Sequence, residues 1–259
     1  MGIINENRRF MHCPSFEGSM AESDQKKGVT APRYDDEKSG DLIELPSFDD
    51  VLVTGDYLTL LDERKSERIY TDEPMTQEQL AFMLWSAQGV KSTRGEGMVS
   101  TFRPVPSGGA RHPFDLYVAV RNVTGLENGF YHYLPTKNVG EKKVTIERLG
   151  PLMDDYETDM NKMVVGQKWV VKAPVVLFVS CTPYRAEWRY ADAAHRVMLI
   201  DLGHLGQNLM LSATAMGLGS CCLAAYHQEY CDEIFGLNSD DEYTVYVLPV
   251  GNLKKELNV

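Results

Sequence analysis

Apolar positions recur along this chain with two different periods, and the periods divide it into helices and strands. Between Asp56 and about Lys65, Leu58, Leu60 and Leu61 predict a short helix. Thr76-Gln77-Glu78-Gln79 has capping-box form and opens a second helix through Leu80, Met83, Leu84 and Ala87, ended by Gly89. Three strands follow, over 116–121, 129–134 and 144–149, separated by turns bearing Asn and Gly. A helix is predicted over 152–169. After Pro174 the run 175–180 is unbroken apolar, the pattern of a strand buried on both faces. The longest helix is predicted over 192–216. Its residues Val197, Leu202, Leu205, Leu209 and Leu211 fall on more than one face, so it should be buried on most sides. The last two strands are expected over 220–226 and 243–250. A β meander mixed with long buried helices predicts the α+β class rather than a doubly wound sheet.

Residues 1–45 carry no such pattern. They are polar, with charge runs such as Asp35-Asp36-Glu37-Lys38, and read as an arm laid over another surface. Leu42, Ile43, Leu45 and Pro46 could pin its end. The remainder, 46–259, reads as one domain, which a length of 259 residues and 43% apolar content support.

Charge and cysteine usage narrow the function classes. A net charge of −11 with no basic block disfavours nucleic acid as a partner. No run of about 18 apolar residues is present, so no membrane span is expected. The N-terminus has no apolar h-region and no Ser or Thr at position six, which argues against secretion and myristoylation and for the cytoplasm. Cys13, Cys181, Cys221, Cys222 and Cys231 show neither metal spacing nor a disulfide framework, and read as small buried hydrophobes. His195 and His204 are nine residues apart on one predicted helix, about 180° around its axis, so no metal site is expected. Gly219-Ser220-Cys221 lacks the hydrolase elbow, and no Gly-x-Gly-x-x-Gly follows a strand.

The stretch TFRPVPSGGARHPFDLYVAV, from Thr101 to Val120, carries the candidate chemistry. Pro106 locks its own φ, and Gly108 and Gly109 permit backbone shapes closed to other residues. A rigid turn with N–H groups and one hydroxyl, entering a strand, suits a flat polar ligand. This loop, followed by Arg111-His112-Pro113-Phe114, resembles the proline-serine loop of the FMN-dependent nitroreductase family, in particular its SagB-type dehydrogenase branch. Arg64-Lys65-Ser66-Glu67-Arg68 resembles the family's Arg-x-Ser-x-Arg phosphate motif. Asp201 to Asn208 resembles its Gly-His-x-x-Gln-Asn helix, closed by Gly217-Leu218-Gly219, and Leu248-Pro249-Val250-Gly251 resembles its closing strand. The likeness covers about Leu60 to Gly251.

The resemblance implies a nitroreductase-like α+β fold, a central, mostly antiparallel sheet flanked by helices, with the long buried helix at a homodimer interface. It implies FMN as cofactor, with Arg64, Lys65, Ser66 and Arg68 at the phosphate. Pro106, Ser107 and Gly108 would reach the flavin held by the partner subunit. The backbone N–H groups of Leu223, Ala224 and Ala225 would face the flavin N5; many family members have Glu-Gly where this chain has Ala224-Ala225. Tyr190 and Arg196 match a Tyr…Arg pattern on the substrate side, where a salt bridge at the helix start is the competing reading. Lys254 or Lys255 could supply a C-terminal cation near the phosphate. Each motif also has a plain structural reading: a solvated helix end, an ordinary Pro-Gly turn, a buried strand of small residues. The expected activity is ping-pong hydride transfer from NAD(P)H to a small acceptor. A SagB-type dehydrogenase oxidising azoline rings in peptides is the enzyme alternative. A flavin-binding protein or subunit without turnover is the alternative from another class.

Overall fold

The computed structural model describes residues 16–254. Its centre is a seven-stranded sheet, with every neighbouring pair antiparallel. The strands are β1 (Asp41–Leu45), β4 (Phe114–Val120), β5 (Gly129–Tyr133), β6 (Val144–Gly150), β7 (Val175–Cys181), β8 (Leu218–Ser220) and β9 (Tyr243–Asn252), in the order β1-β6-β5-β4-β7-β9-β8. A separate ribbon pairs β2 (Ser92–Arg94) with β3 (Ser100–Phe102).

Alternation along the central strands explains why they are apolar throughout. Leu116, Val118 and Val120 of β4, with Val175, Leu177 and Val179 of β7, face one side of the sheet. Tyr117, Ala119, Val176 and Phe178 face the other. Side chains point to opposite faces at successive residues, so a strand covered on both sides cannot show a polar alternation. The first face is covered by α3 (Gln77–Gln88) and α6 (Ala194–Ala215), the second by α4 (Tyr156–Met163) and α7 (Gln228–Phe235). The capping box read at Thr76 is present: the Thr76 hydroxyl accepts from Gln79 N–H at 3.2 Å, and the Gln79 side chain returns to Thr76 N–H at 2.9 Å. The short helix α2 (Tyr57–Glu63) is capped by Asp56.

The elements differ from the sequence expectation in four places. The helix expected over 152–169 covers only Tyr156–Met163, because the backbone turns left-handed at Val165 (φ 46°) and Gly166 (φ 86°). The long helix is preceded by α5 (Tyr184–Tyr190) and broken from it at Ala191, whose φ is 47°. The strand expected over 220–226 is shorter and earlier, Leu218–Ser220; beyond it only Leu223 bridges, to Val247. Helix α7 was not expected: it turns on a His227 cap and is held by Asp232, whose carboxylate accepts Thr244 N–H at 2.7 Å.

The polar arm is not wholly outside the core. Its end forms edge strand β1 on β6, and Leu45 is buried in the main core cluster. The short helix α1 (Phe16–Ala21) opens the described chain. The stretch after it is strapped across α5: Gln25 N–H donates to Trp188 O at 2.8 Å, the Trp188 indole N–H to Val29 O at 2.8 Å, and Arg185 Nε to Arg33 O at 3.0 Å. One apolar face over five residues is a weak sequence signal for a strand. Among the described residues no helix is long and apolar enough to cross a membrane. Cys181, Cys221 and Cys231 are buried free thiols and Cys222 is half-buried; Cys13 lies outside the described residues.

Candidate active site

Helix α2 hands the chain to the cationic cluster. Arg64 N–H closes the last turn on Leu60 O at 3.1 Å, and the chain then runs parallel beside β8. Ser66 bridges Ser220, and Glu67 N–H donates to Ser220 O at 2.9 Å. Arg64 is half-buried; Lys65, Ser66 and Arg68 are exposed. Lys65 sits 3.4 Å from Glu67, and the Arg68 guanidinium reaches Ser66 O at 3.3 Å and lies 5.8 Å from the Trp169 ring centroid. These are weak, solvent-screened contacts. They hold the cations at the surface without neutralising them in a buried network.

From Ser220 the same strand continues into the segment with the expected amide donors. Leu223 is removed from that role: its N–H donates to Val247 O at 2.8 Å, and its carbonyl accepts Val247 N–H at 3.2 Å. Ala224 and Ala225 are exposed, and neither N–H has an acceptor among the described residues. Unpaired amides beside a cationic segment are what an electron-rich planar ligand with a terminal phosphate needs. Tyr226, the next residue, opens a mostly apolar cleft of about 320 Å³, walled by Phe114, Met198, Leu199, Leu202 and Tyr243.

The proline-serine loop takes a different path. The Ser107 hydroxyl donates to Asp201 Oδ2 at 2.6 Å and accepts His112 N–H at 2.9 Å. Gly108 N–H donates to both oxygens of Asp201, at 3.0 and 3.1 Å. The polar groups that the sequence leaves open on this turn are therefore engaged by one carboxylate on α6. Asp201 is 6% exposed; burial raises its pKa, and the bonds from Ser107 and Gly108 oppose the rise. Only glycine fits at 108, because a Cβ there would run into Val197 Cγ1. Tyr190 packs on the same loop, its hydroxyl 3.6 Å from where that Cβ would stand. The sequence places Asp201 only at the start of the Gly-His-x-x-Gln-Asn helix; a polar residue on a buried helix face is the signal for its role.

Helix α6 separates the two halves of the candidate site. Gly206 faces the amide segment, with Tyr246 packed where its Cβ would be, at 2.8 Å, and Cys222 Sγ 3.8 Å from its carbonyl. Asp201 and Gly206 are five residues apart, about 140° around the axis. The cationic segment lies further along, sharing a cleft with Thr214 through Lys65 and Glu67. Thr214 is thirteen residues from Asp201, about 20 Å of helix. Within one chain, then, Arg64 to Arg68 and Ala224-Ala225 gather on one side of α6, and Pro106 to Gly108 on another. Arg196 is half-buried and makes no ion pair among the described residues; its neighbour His195 meets Glu187 at 3.0 Å. Lys254 is exposed just beyond β9, and Lys255 lies outside the described residues.

Comparison with known proteins decides the family. The nitroreductase family model matches residues 61–252, which span the cationic segment, the proline-serine loop, α6 and the closing strand. The chain belongs to the nitroreductase family. Members are oxidoreductases, and the family generally binds flavin. The chain is 31% identical over 209 residues to the protein MJ1384 of Methanocaldococcus jannaschii, which carries a nitroreductase name; the match covers 81% of this chain and 95% of that one. It is 27% identical over 156 residues to the microcin B17-processing protein McbC of Escherichia coli, covering 58% of this chain and 53% of McbC. A solved structure from Anabaena variabilis, also described as a nitroreductase, superposes with a TM-score of 0.66 at 20% identity, over 95% of this chain and 45% of that one. The chain thus spans about half the length of McbC and of the Anabaena protein. The α+β fold expected from the sequence is the nitroreductase fold.

Proposed function

We propose that this chain binds FMN in a homodimer and uses NAD(P)H to reduce a small acceptor. The observation that carries this reading is the continuity of one surface: the cations of Arg64, Lys65 and Arg68 and the unpaired N–H groups of Ala224 and Ala225 lie along β8 and its extension. Arg64, Ser66 and Arg68 would hold the phosphate, with Lys65 and Lys254 nearby. Two or three charge-assisted bonds, each worth roughly 1.5–3 kcal/mol, are enough to anchor it. The Ala224 and Ala225 amides would meet the flavin edge at N5, and their small side chains leave its face open. Bound FMN would supply hydride transfer in both directions, taking a hydride from reduced nicotinamide and passing it to the acceptor.

The placement of Pro106 to Gly108 across α6 favours a site completed by two chains. Asp201 fixes the loop's backbone, and the rigid turn would close water out of the partner's flavin edge. Tyr190, packed on that loop, and Arg196 would stand on the substrate side. The apolar cleft beside Tyr226 favours a flat, weakly polar acceptor over a charged one. The proposed setting is the cytoplasm.

The likeness to McbC keeps a SagB-type peptide dehydrogenase as the second reading, with oxidation of azoline rings in place of acceptor reduction. A flavin-binding subunit without turnover is the third. The visible spectrum of the purified protein tests all three, since each requires bound flavin. Steady oxidation of NADH or NADPH with a quinone or nitroarene supports the first; bound flavin without it removes that reading. A protein that purifies colourless and is not stabilised by added FMN ends the proposal.

A further inference from the structure

A second, polar cavity lies on the opposite face of the sheet from α6. It encloses about 230 Å³ and is lined by Lys38, Asp115, Tyr117, His132, Arg185 and Glu242, with exposed Asp36 and Asp241 toward solvent. Strand register builds its floor. Tyr117 pairs with His132, and His132 with Glu147, so these side chains form a row on one face. Tyr117 stacks on the His132 ring at 4.6 Å. Asp115, one alternation along β4, meets Arg185 of α5 at 2.7 Å, and both are 4% exposed.

The cavity leaves buried polar atoms unmatched. Among the described residues, Asp115 Oδ1 and both ring nitrogens of His132 have no hydrogen-bond partner, nor has Arg185 Nη1, which meets Asp115 Oδ2 as an ion pair. His132 is 1% exposed, and burial lowers its pKa, so its imidazole is neutral. Its Nδ1 points at Glu147 Oε2, 3.7 Å away. A carboxylate on that side favours the Nδ1–H tautomer, which leaves Nε2 as an acceptor toward the cavity. Glu242 receives the Tyr117 and Ser180 hydroxyls at 3.0 and 2.7 Å and lies 3.4 Å from Lys38. The acceptors left open inside are therefore Asp115 Oδ1 and His132 Nε2, and both call for a donor. Charge agrees: four carboxylates and two cations line the cavity, and of the two carboxylates in excess Asp36 lies 4.0 Å from exposed Arg33, while Asp241 has no cation beside it among the described residues. A divalent metal fits poorly, since no group of three metal-ligating side chains occurs among the described residues.

We infer that this cavity is a binding site for a small aliphatic diamine, separate from the flavin site. One ammonium group has three N–H donors, enough for the open Asp115 Oδ1 and His132 Nε2 acceptors. The second would stand between Asp36 and Asp241. The volume holds about seven waters' worth of space, enough for a four-carbon chain with its ammonium groups.

Calorimetric titration of the full-length protein with 1,4-diaminobutane tests this, with 1,4-butanediol as the neutral isostere and propylamine as the monoamine. The expected result is saturable binding of one diamine per chain, with no saturation by the diol at matched ionic strength. Asp115→Asn should weaken the diamine by about tenfold or more, as should His132→Phe, which keeps the ring but removes both nitrogens. Should either variant fold poorly, Asp241→Asn in the exposed loop remains: it should weaken the diamine but not propylamine. The His132 ring resonances of the unaltered protein should also shift with diamine. Absence of saturable heat together with unmoved His132 resonances means a water-filled cavity and overturns the inference. Equal affinity for diol and diamine, or displacement of the diamine by magnesium alone at similar concentration, overturns it too.

Discussion

Ser107 and Asp201 are 94 residues apart in sequence, and the hydroxyl of one donates to the carboxylate of the other at 2.6 Å. Gly108 N–H meets the same carboxylate, so a single buried side chain of α6 sets the loop's path. Asp201→Ala removes both acceptors and leaves a buried hydroxyl and N–H unpaired. It should lower stability by about 2–4 kcal/mol in chemical denaturation and weaken FMN binding. Asp201→Asn, which keeps an acceptor, should recover part of each. An Asp201→Ala protein with unaltered stability and flavin affinity would show that the loop is held by other contacts.

Arg64 and Arg68 are expected to contact the phosphate, not the ring. Arg64→Ala should therefore weaken FMN by roughly ten- to a hundredfold and riboflavin, which lacks the phosphate, very little. Fluorescence titration with both ligands measures the difference. Equal loss for the two returns these residues to the role of a solvated helix end.

The two sides of α6 predict complementation. A chain altered at Arg64 and Arg68 and a chain altered at Ser107 and Gly108 should each lose flavin alone. If every site draws its phosphate contacts from one chain and its loop from the other, a mixed dimer places both lesions at one site and leaves the second intact. Refolding the pair together should restore FMN to about half of the sites in each heterodimer. Proven heterodimers with no recovered flavin would place each site within a single chain.

The proline-serine loop also predicts an acid sensitivity. His112 is buried, and burial, with the Arg103 charge beside it, pushes its pKa down to about 2. The unfolded chain takes up this proton near pH 6.5 and the folded chain does not, so the unfolded state binds more protons across that interval. Stability is full above about pH 6.5 and is lost as pH falls, by roughly 1.4 kcal/mol per pH unit for this group. His132, also lowered by burial, adds in the same direction. His112→Gln, which retains a donor for Thr101 O, should flatten the fall measured by denaturation between pH 7 and pH 5, in proportion to one proton.

Local signals were legible where one residue type has one local use. The Thr76–Gln79 capping box, the unbroken run of β7 and the closing strand β9 all appear where the pattern puts them. Helix ends were less legible. Gly166 marks the end of α4 and was a readable signal, but Ala191 takes a positive φ that its residue type does not announce. Strand β1 shows only Ile43 and Leu45 on its inner face, too few for a period to stand out.

Sequence alone determined the fold class, the family and the residues that carry the candidate chemistry, because these depend on periodicity and on short motifs whose spacing is local. Tertiary structure decided which of those residues lie together. It put Arg64 to Arg68 beside Ser220, engaged the Leu223 amide on β9 while leaving those of Ala224 and Ala225 unpaired, and turned Ser107 onto Asp201. It also enclosed Asp115, His132 and Glu242 around one cavity from three separate segments. The physical reason is the same in each case. Strand register and helix rotation set which side chains and amides find partners, and both are settled by long-range packing that no local stretch of sequence records.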